Sequence, residues 1–191
     1  PDPDQSARRV AAPVCVAVHS QIFQVVQMTA RMLHDEFGLD VVLDHSTFDG
    51  WKNAPVYAER GIPVIHGPRV YDPWAMRYEG VFRGTANSWY EGGVTELGVN
   101  TDAPVLPQED FFLQASLAAR TGLPHDAALR ALTIVPARAM AVADRIGSIA
   151  VGKDADLVLF TGDPLDARSS VVTTWIEGRA VYDAARDGQR Y

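Results

Sequence analysis

The sequence predicts an α/β chain, half of a TIM-type (β/α)8 barrel over residues 1–144 followed by a small β unit over residues 145–191. Four short β-branched runs each end in a polar residue and lead through a loop into a helical stretch. The runs are apolar throughout rather than alternating, which suits strands of a parallel sheet buried on both faces. After Asp144 the texture changes to short strands separated by Gly, Asp and Pro turns. Four βα units are half of a barrel that needs roughly 250 residues to close, and an open half-sheet leaves two exposed edges. The remaining strands are therefore expected upstream on the same polypeptide or on a separate chain.

The first run is Val14 to Val18, ending at His19. Ser20 is a candidate N-cap for a helix in which Phe23, Val26, Ala30, Leu33 and Phe37 recur at amphipathic spacing and which Gly38 ends. The second run, Val41 to Leu43, ends at Asp44 and His45; Thr47 or Asp49 then caps a short helix that stops at Gly61. The third, Ile62 to Ile65, ends at His66 and carries its proline where a strand tolerates one, near the start. A long aromatic loop follows. The fourth, Val94 to Val99, ends at Asn100-Thr101-Asp102 and leads into a helical region from about Gln108 to Ala143. Beyond the boundary near 144, strands are expected at Ser148–Val151, Asp156–Phe160, Val171–Ile176 and Arg179–Tyr182.

Composition narrows the function classes. Hydrophobic residues make up 47% of the 191, enough for a real core, and the net charge is −7 with 17 scattered Lys and Arg, which argues against nucleic acid as a partner. The single cysteine, Cys15, excludes an internal disulfide and lies in an apolar run expected to bury an inert thiol. No apolar stretch approaches the roughly 18 to 20 residues of a membrane span. The expectation is a soluble, cytoplasmic protein, although the chain opens Pro1-Asp2-Pro3 without Met, so an upstream signal would be invisible.

In a parallel barrel the residues at the C-terminal strand ends converge in space. Here they are His19, His45, His66 and Asp102, three imidazoles and a carboxylate, a ligand set suited to zinc or a similar divalent metal. His34 and His125 fall in helical contexts at surface positions and are given no role.

The chain resembles the amidohydrolase superfamily, within it the group similar to imidazolonepropionase. Val16-Ala17-Val18-His19 resembles that family's fifth strand with its metal histidine, Val42-Leu43-Asp44-His45 the sixth strand, and Gly98-Val99-Asn100-Thr101-Asp102-Ala103-Pro104 the eighth-strand motif with its essential aspartate. Ala128 to Thr133, Pro136-Ala137-Arg138 and Gly147 to Val158 also follow the family pattern. The resemblance implies that this is the C-terminal half of the barrel and that residues 145–191 are the C-terminal part of a β-sandwich. Two family hallmarks are missing, the His-x-His pair of the first strand and the bridging carboxylated lysine or glutamate of the fourth. The implied partner is an N-terminal half bearing His-x-His; homo-oligomerisation is left open.

The implied activity is hydrolysis of a carbon–nitrogen bond in a small amide, cyclic amide or peptide-like substrate. One or two divalent ions would serve it, zinc first and iron as the alternative. His19 would be a metal ligand, Asp102 both ligand and proton acceptor, and His45 either a second metal ligand or a group polarising the scissile carbonyl. His66 is read as a substrate contact, against the alternative of a structural hydrogen bond. Arg69 and Tyr71, with Trp74 and Tyr78, lie in the following loop as a substrate wall or simply as packed aromatics, and Arg69 would favour a substrate carboxylate. A deaminase or an ester or phosphotriester hydrolase shares this fold and metal chemistry, and a metal-free scaffold barrel is the rival from another class.

Overall fold

The computed structural model describes residues 15–188, so the expected strand start at Val14 lies outside them. Strand β1 spans Val16–Ser20 and leads to helix α1, Phe23–Met28, which continues as a π-helical stretch, Thr29–Glu36. The Thr29 hydroxyl donates to the Val25 carbonyl where the helix widens. Ser20 is not the helix cap: its hydroxyl pairs with that of Thr29, while the Phe23 N–H donates to Asp49 across the fold. Asp49 and Thr47 do not cap their own helix either, since the Thr47 hydroxyl donates to Gln21. Strand β2, Val41–His45, is followed by a 3₁₀ turn at Gly50–Asn53 and helix α2, Ala54–Arg60, which ends on Gly61 at φ 65°, a left-handed cap that favours glycine.

Strand β3 is Val64–His66. The aromatic loop after it holds a ribbon of β4 (Tyr71–Asp72) and β5 (Arg83–Gly84) around a π turn, then helix α3, Thr85–Glu91, an element the sequence pattern did not reveal. Strand β6, Leu97–Val99, closes the set. The expected long helix is three: α4, Phe111–Arg120, α5, His125–Leu132, and α6, Ile134–Ala139. Gly122, at φ 118°, and Pro124 separate the first two, and a Cβ on Gly122 would sit 2.8 Å from the Asn87 amide.

Strands β1, β2, β3 and β6 form a parallel sheet in that order, consistent with part of a (β/α)8 barrel. Register gives the sheet two distinct faces. Leu43, Val64 and Leu97 align as one row and pack into the core with Val26, Tyr57, Trp89 and Ala118 on the helices. His19, Asp44, Ile65 and Gly98 align as the row on the opposite face. Tyr57 and Trp89 meet edge to face at 5.4 Å, and the Tyr57 hydroxyl donates to the Val26 carbonyl, so α1, α2 and α3 are tied at one buried point.

Strands β7 (Leu157–Phe160), β8 (Val171–Ile176) and β9 (Arg179–Asp183) make a three-stranded antiparallel sheet, followed by a short helix α7, Ala184–Asp187. The expected strand at Ser148–Val151 is not one. Gly147 and Gly152 both have positive φ and bend the chain there, the Lys153 ammonium donates to Ala143, Ile146 and Ser148, and Ile149 and Val151 point to solvent. The sheet is anchored to the barrel part by Phe160 packed edge-on against Phe112, and by Ser116 donating to the Leu165 carbonyl. His125 Nε2 and the Asp163 carboxylate add a hydrogen bond across the same junction. Among the described residues no helix is long and apolar enough to cross a membrane.

Because Trp89 is fully buried at the junction of the helices, Trp89→Ala is expected to lower unfolding free energy by about 3–5 kcal/mol. Tyr78→Ala, in the exposed aromatic loop, is expected to change it by no more than about 0.5 kcal/mol. Urea midpoints of the full-length protein compare the two; equal effects would contradict the assignment of the core.

Candidate functional site

The site is built at the C-terminal ends of β1, β2 and β6. His19 projects from the face opposite the helices. His45, next along the chain from Asp44, belongs by strand alternation to the helix-facing row, with Ser20 and His66 as its register partners. Its ring nevertheless meets that of His19, with centroids 4.3 Å apart. The backbone explains the reversal: His45 and Ser46 both take left-handed conformations, φ 76° and 56°, so the chain turns as the strand ends and carries the imidazole back to the mouth. Asp102 also sits at positive φ, 52°. His and Asp tolerate this region better than most residues, yet each such position costs of order 1–3 kcal/mol that surrounding contacts must offset.

The tautomer of His45 follows from its partner. Nδ1 lies 3.0 Å from the Gly67 carbonyl oxygen, which can only accept, so Nδ1 carries the hydrogen. Gly67 is required there: at φ 148°, a Cβ would sit 2.3 Å from the Asn100 carbonyl oxygen. Nε2 is left facing two carboxylates, with Asp44 Oδ2 at 3.3 Å and Asp102 Oδ1 at 3.6 Å. Two carboxylate oxygens therefore approach the side of the ring that Nε2 presents, an arrangement that favours a cation nearby.

Two supporting amides hold this cluster. The Asn100 amide nitrogen donates to Asp44 Oδ1 at 2.7 Å and to the Ile65 carbonyl at 3.2 Å, crossing from β6 over β3 to β2. Gln21 accepts from the Thr47 N–H and hydroxyl, which turns its amide nitrogen toward His19 Nε2 at 3.4 Å, so that ring nitrogen carries a lone pair. Asp44, Asn100 and Gln21 were not singled out from sequence. The signal available was position: Asp44 precedes the strand-end histidine, and Asn100 lies two residues before Asp102.

The other expected residues are placed differently. His66 is fully buried, with Nδ1 donating to the His45 carbonyl at 2.9 Å and Nε2 2.8 Å from the Thr85 hydroxyl. Both ring nitrogens are engaged inside the fold, the geometry of the structural hydrogen bond named as the alternative to a substrate contact. Tyr71 stacks on Phe82 at 5.5 Å and is half-buried, and Arg69 is exposed. Trp74 and Tyr78 stack on each other. Cys15 is half-buried rather than buried; that burial, reinforced by the negative charge of Asp40, pushes its thiol above the ordinary value, which keeps it in the unreactive form.

The donors suit a divalent ion in kind but are not arranged as a complete site. Two imidazoles presenting lone pairs and two carboxylates are zinc-type ligands, and an imidazole that donates its other N–H to a carbonyl is the usual arrangement at such sites. Among the described residues, no three His, Cys, Asp or Glu side chains close on one point. Asp102 and Asn100 also line a cleft of about 850 Å³ that extends between α4 and the β7–β8 loop, with Phe111 and Phe112 on its wall.

Burial pushes His66 down to about 4, against about 6.5 for a free histidine. The unfolded chain therefore binds the proton first as pH falls, so the contribution of neutral His66 is complete above about pH 6.5 and lost between there and pH 4, about 3 kcal/mol in all. Urea unfolding of the full-length protein after chelation, at pH 7 and pH 4.5, is expected to show this loss and His66→Asn to flatten it. An unchanged slope in the variant would assign the pH dependence elsewhere.

Comparison with known proteins places the chain. The sequence model of the amidohydrolase family matches residues 68–182, more than half of the chain. The chain is 38% identical over 94 residues to amidohydrolase tasK of Hapsidospora irregularis, covering 49% of this chain and 10% of that protein. Its fold matches that of an amidohydrolase from Thermotoga maritima with a TM-score of 0.77 and 33% identity, over 89% of this chain and 44% of that one. An adenosine deaminase from Xanthomonas campestris with bound zinc matches with a TM-score of 0.63 and 25% identity, over 94% of this chain and 47% of that one. The chain thus spans less than half the length of each of these three proteins.

Proposed function

The chain belongs to the amidohydrolase family, and from that premise we propose that it forms part of a metal-dependent hydrolase that cleaves a carbon–nitrogen bond in a small amide or peptide-like substrate. The observation that carries the reading is the approach of two carboxylates to His45 Nε2, whose lone pair is exposed by the Nδ1–H bond to Gly67. His19, His45 and Asp102 would hold the ion. A divalent cation there supplies Lewis acidity toward the carbonyl and makes a neighbouring water more acidic.

The rest of the chemistry falls to this chain's own groups. Asp102, partly exposed and facing the cleft, accepts a proton from the water as its oxygen attacks the acyl carbon. The carbon–nitrogen bond then breaks, and Asp102 returns that proton to the departing nitrogen, giving an acid and an amine. Asn100 restrains Asp44, which keeps a second negative charge beside His45 and favours the cation. Arg69 and Tyr71, on the loop after β3, are proposed for the substrate side, with Arg69 suited to a carboxylate. The remaining ligands, among them a His-x-His pair, are assigned to the portion of polypeptide outside this chain. A second layer for the β7–β9 sheet, making a sandwich across the boundary near residue 144, is assigned there too. The likeness to a zinc-containing adenosine deaminase favours one second reading, attack of the same water on an amidine carbon with loss of ammonia.

The test is a panel of N-acyl amino acids, cyclic amides and aminopurines with the full-length protein. Chelation is expected to abolish turnover and added zinc to restore it, while Asp102→Asn is expected to lower kcat/KM by about 10²–10⁴-fold. Full turnover by chelator-treated protein, or by Asp102→Asn, would sink the proposal; release of ammonia from an aminopurine alone would favour the deaminase.

A further inference from the structure

His45 can reach the cluster only from a strained backbone, so something must hold that backbone. Its left-handed turn, continued by Ser46, departs from the strand at the point where alternation would send the ring toward the helices. Two consecutive residues of β3 and its exit grip it. Gly67 takes the ring Nδ1–H, and His66 takes the other end, the carbonyl oxygen of the same residue, at 2.9 Å. That carbonyl can only accept, so the His66 hydrogen is on Nδ1, and Nε2 is left to accept from the Thr85 hydroxyl at 2.8 Å. The chain of bonds runs from the start of α3 through a fully buried imidazole to the backbone of His45.

We propose that His66 is a positioning residue for His45: its Nδ1 donor, oriented by Thr85, holds the left-handed turn that places the His45 ring beside His19 and Asp102. An apolar side chain would fill the same buried space at no desolvation cost, so packing alone does not require an imidazole there. What the imidazole adds is a rigid donor aimed at one carbonyl. The neighbouring backbone N–H of Gly67 reaches that oxygen only at 3.4 Å, a weaker tie. The inference rests on the reading of His45 as a metal ligand only for its functional consequence, not for its geometry.

The experiment uses the full-length protein with His66→Val, His66→Asn and Thr85→Val. Zinc affinity is measured by competition with a chromogenic chelator, and the variants are crystallised. His66→Val is expected to weaken zinc binding about 10- to 100-fold, the usual range for a lost outer partner. His66→Asn, whose amide donates from nearly the place of Nδ1, is expected to stay within about 5-fold of the wild type, a rescue that a mere packing role would not produce. Should His66→Val fail to fold, Thr85→Val loosens the same ring without removing it, and a several-fold loss is expected. A folded His66→Val with wild-type affinity overturns the proposal. So does a crystal structure of that variant in which His45 keeps φ near 76° with its ring against His19. If the wild-type protein binds no zinc, the hydrolase reading fails, while the crystallographic comparison still decides the positioning role.

Discussion

Alternation along a strand is the constraint on which the rest of this structure depends. Side chains at successive positions must point to opposite faces, and the helix-facing row of Leu43, Val64 and Leu97 is committed to the core. His19 and Asp44 are thereby committed to the other face, and two adjacent residues such as Asp44 and His45 cannot both look into the mouth from a regular strand. The left-handed turn at His45 and Ser46 removes that restriction. It puts neighbours in sequence onto the same point in space, which a regular strand would forbid.

That solution carries an energetic cost, and the surrounding contacts are of the right size to offset it. Two residues in the left-handed region cost of order 1–3 kcal/mol each. Against this stand the bonds from His45 Nδ1 to Gly67, from His66 Nδ1 to the His45 carbonyl, and from the Ser46 N–H to the Ser20 carbonyl. Each contributes about 1 kcal/mol net when buried. The balance is close to even, which is why the turn depends on its neighbours. The same neighbours fix which nitrogen of His45 carries hydrogen, so backbone geometry and ligand chemistry are set by one group of contacts.

Much of this was legible in the sequence, and what was not has physical causes. The apolar runs and their polar ends marked β1, β2, β3 and β6, and with them His19, His45 and Asp102, because a parallel barrel gathers strand ends whatever their distance along the chain. Phase was not legible: in a run that is apolar on both faces nothing tells which residues face inward. His66 shows the consequence. It lies in the same row as His45 but lacks the reversing turn, so its ring stays on the helix side and bonds to Thr85. Helix α3 went unseen because its buried face is only Thr85, Ala86 and Trp89, too short a pattern to read. The long helix broke where Gly122 and Pro124 interrupt it, signals present but outweighed by the apolar periodicity around them.

The two sides of the site differ in how firmly they are held. Asp44, Asn100 and His45 are cross-linked through β2, β3 and β6, whereas His19 stands on β1, an outer strand, and is exposed, held by a 3.4 Å approach from Gln21 and by its ring contact with His45. Among the described residues the outer strands of the sheet are β1 and β6, the strands that carry His19 and precede Asp102. Any further parallel strand pairing with either edge would bring its own C-terminal residues into the same mouth. It would also pair backbone groups of the kind an edge strand presents outward. Completing the sheet and completing the donor set would then be one event.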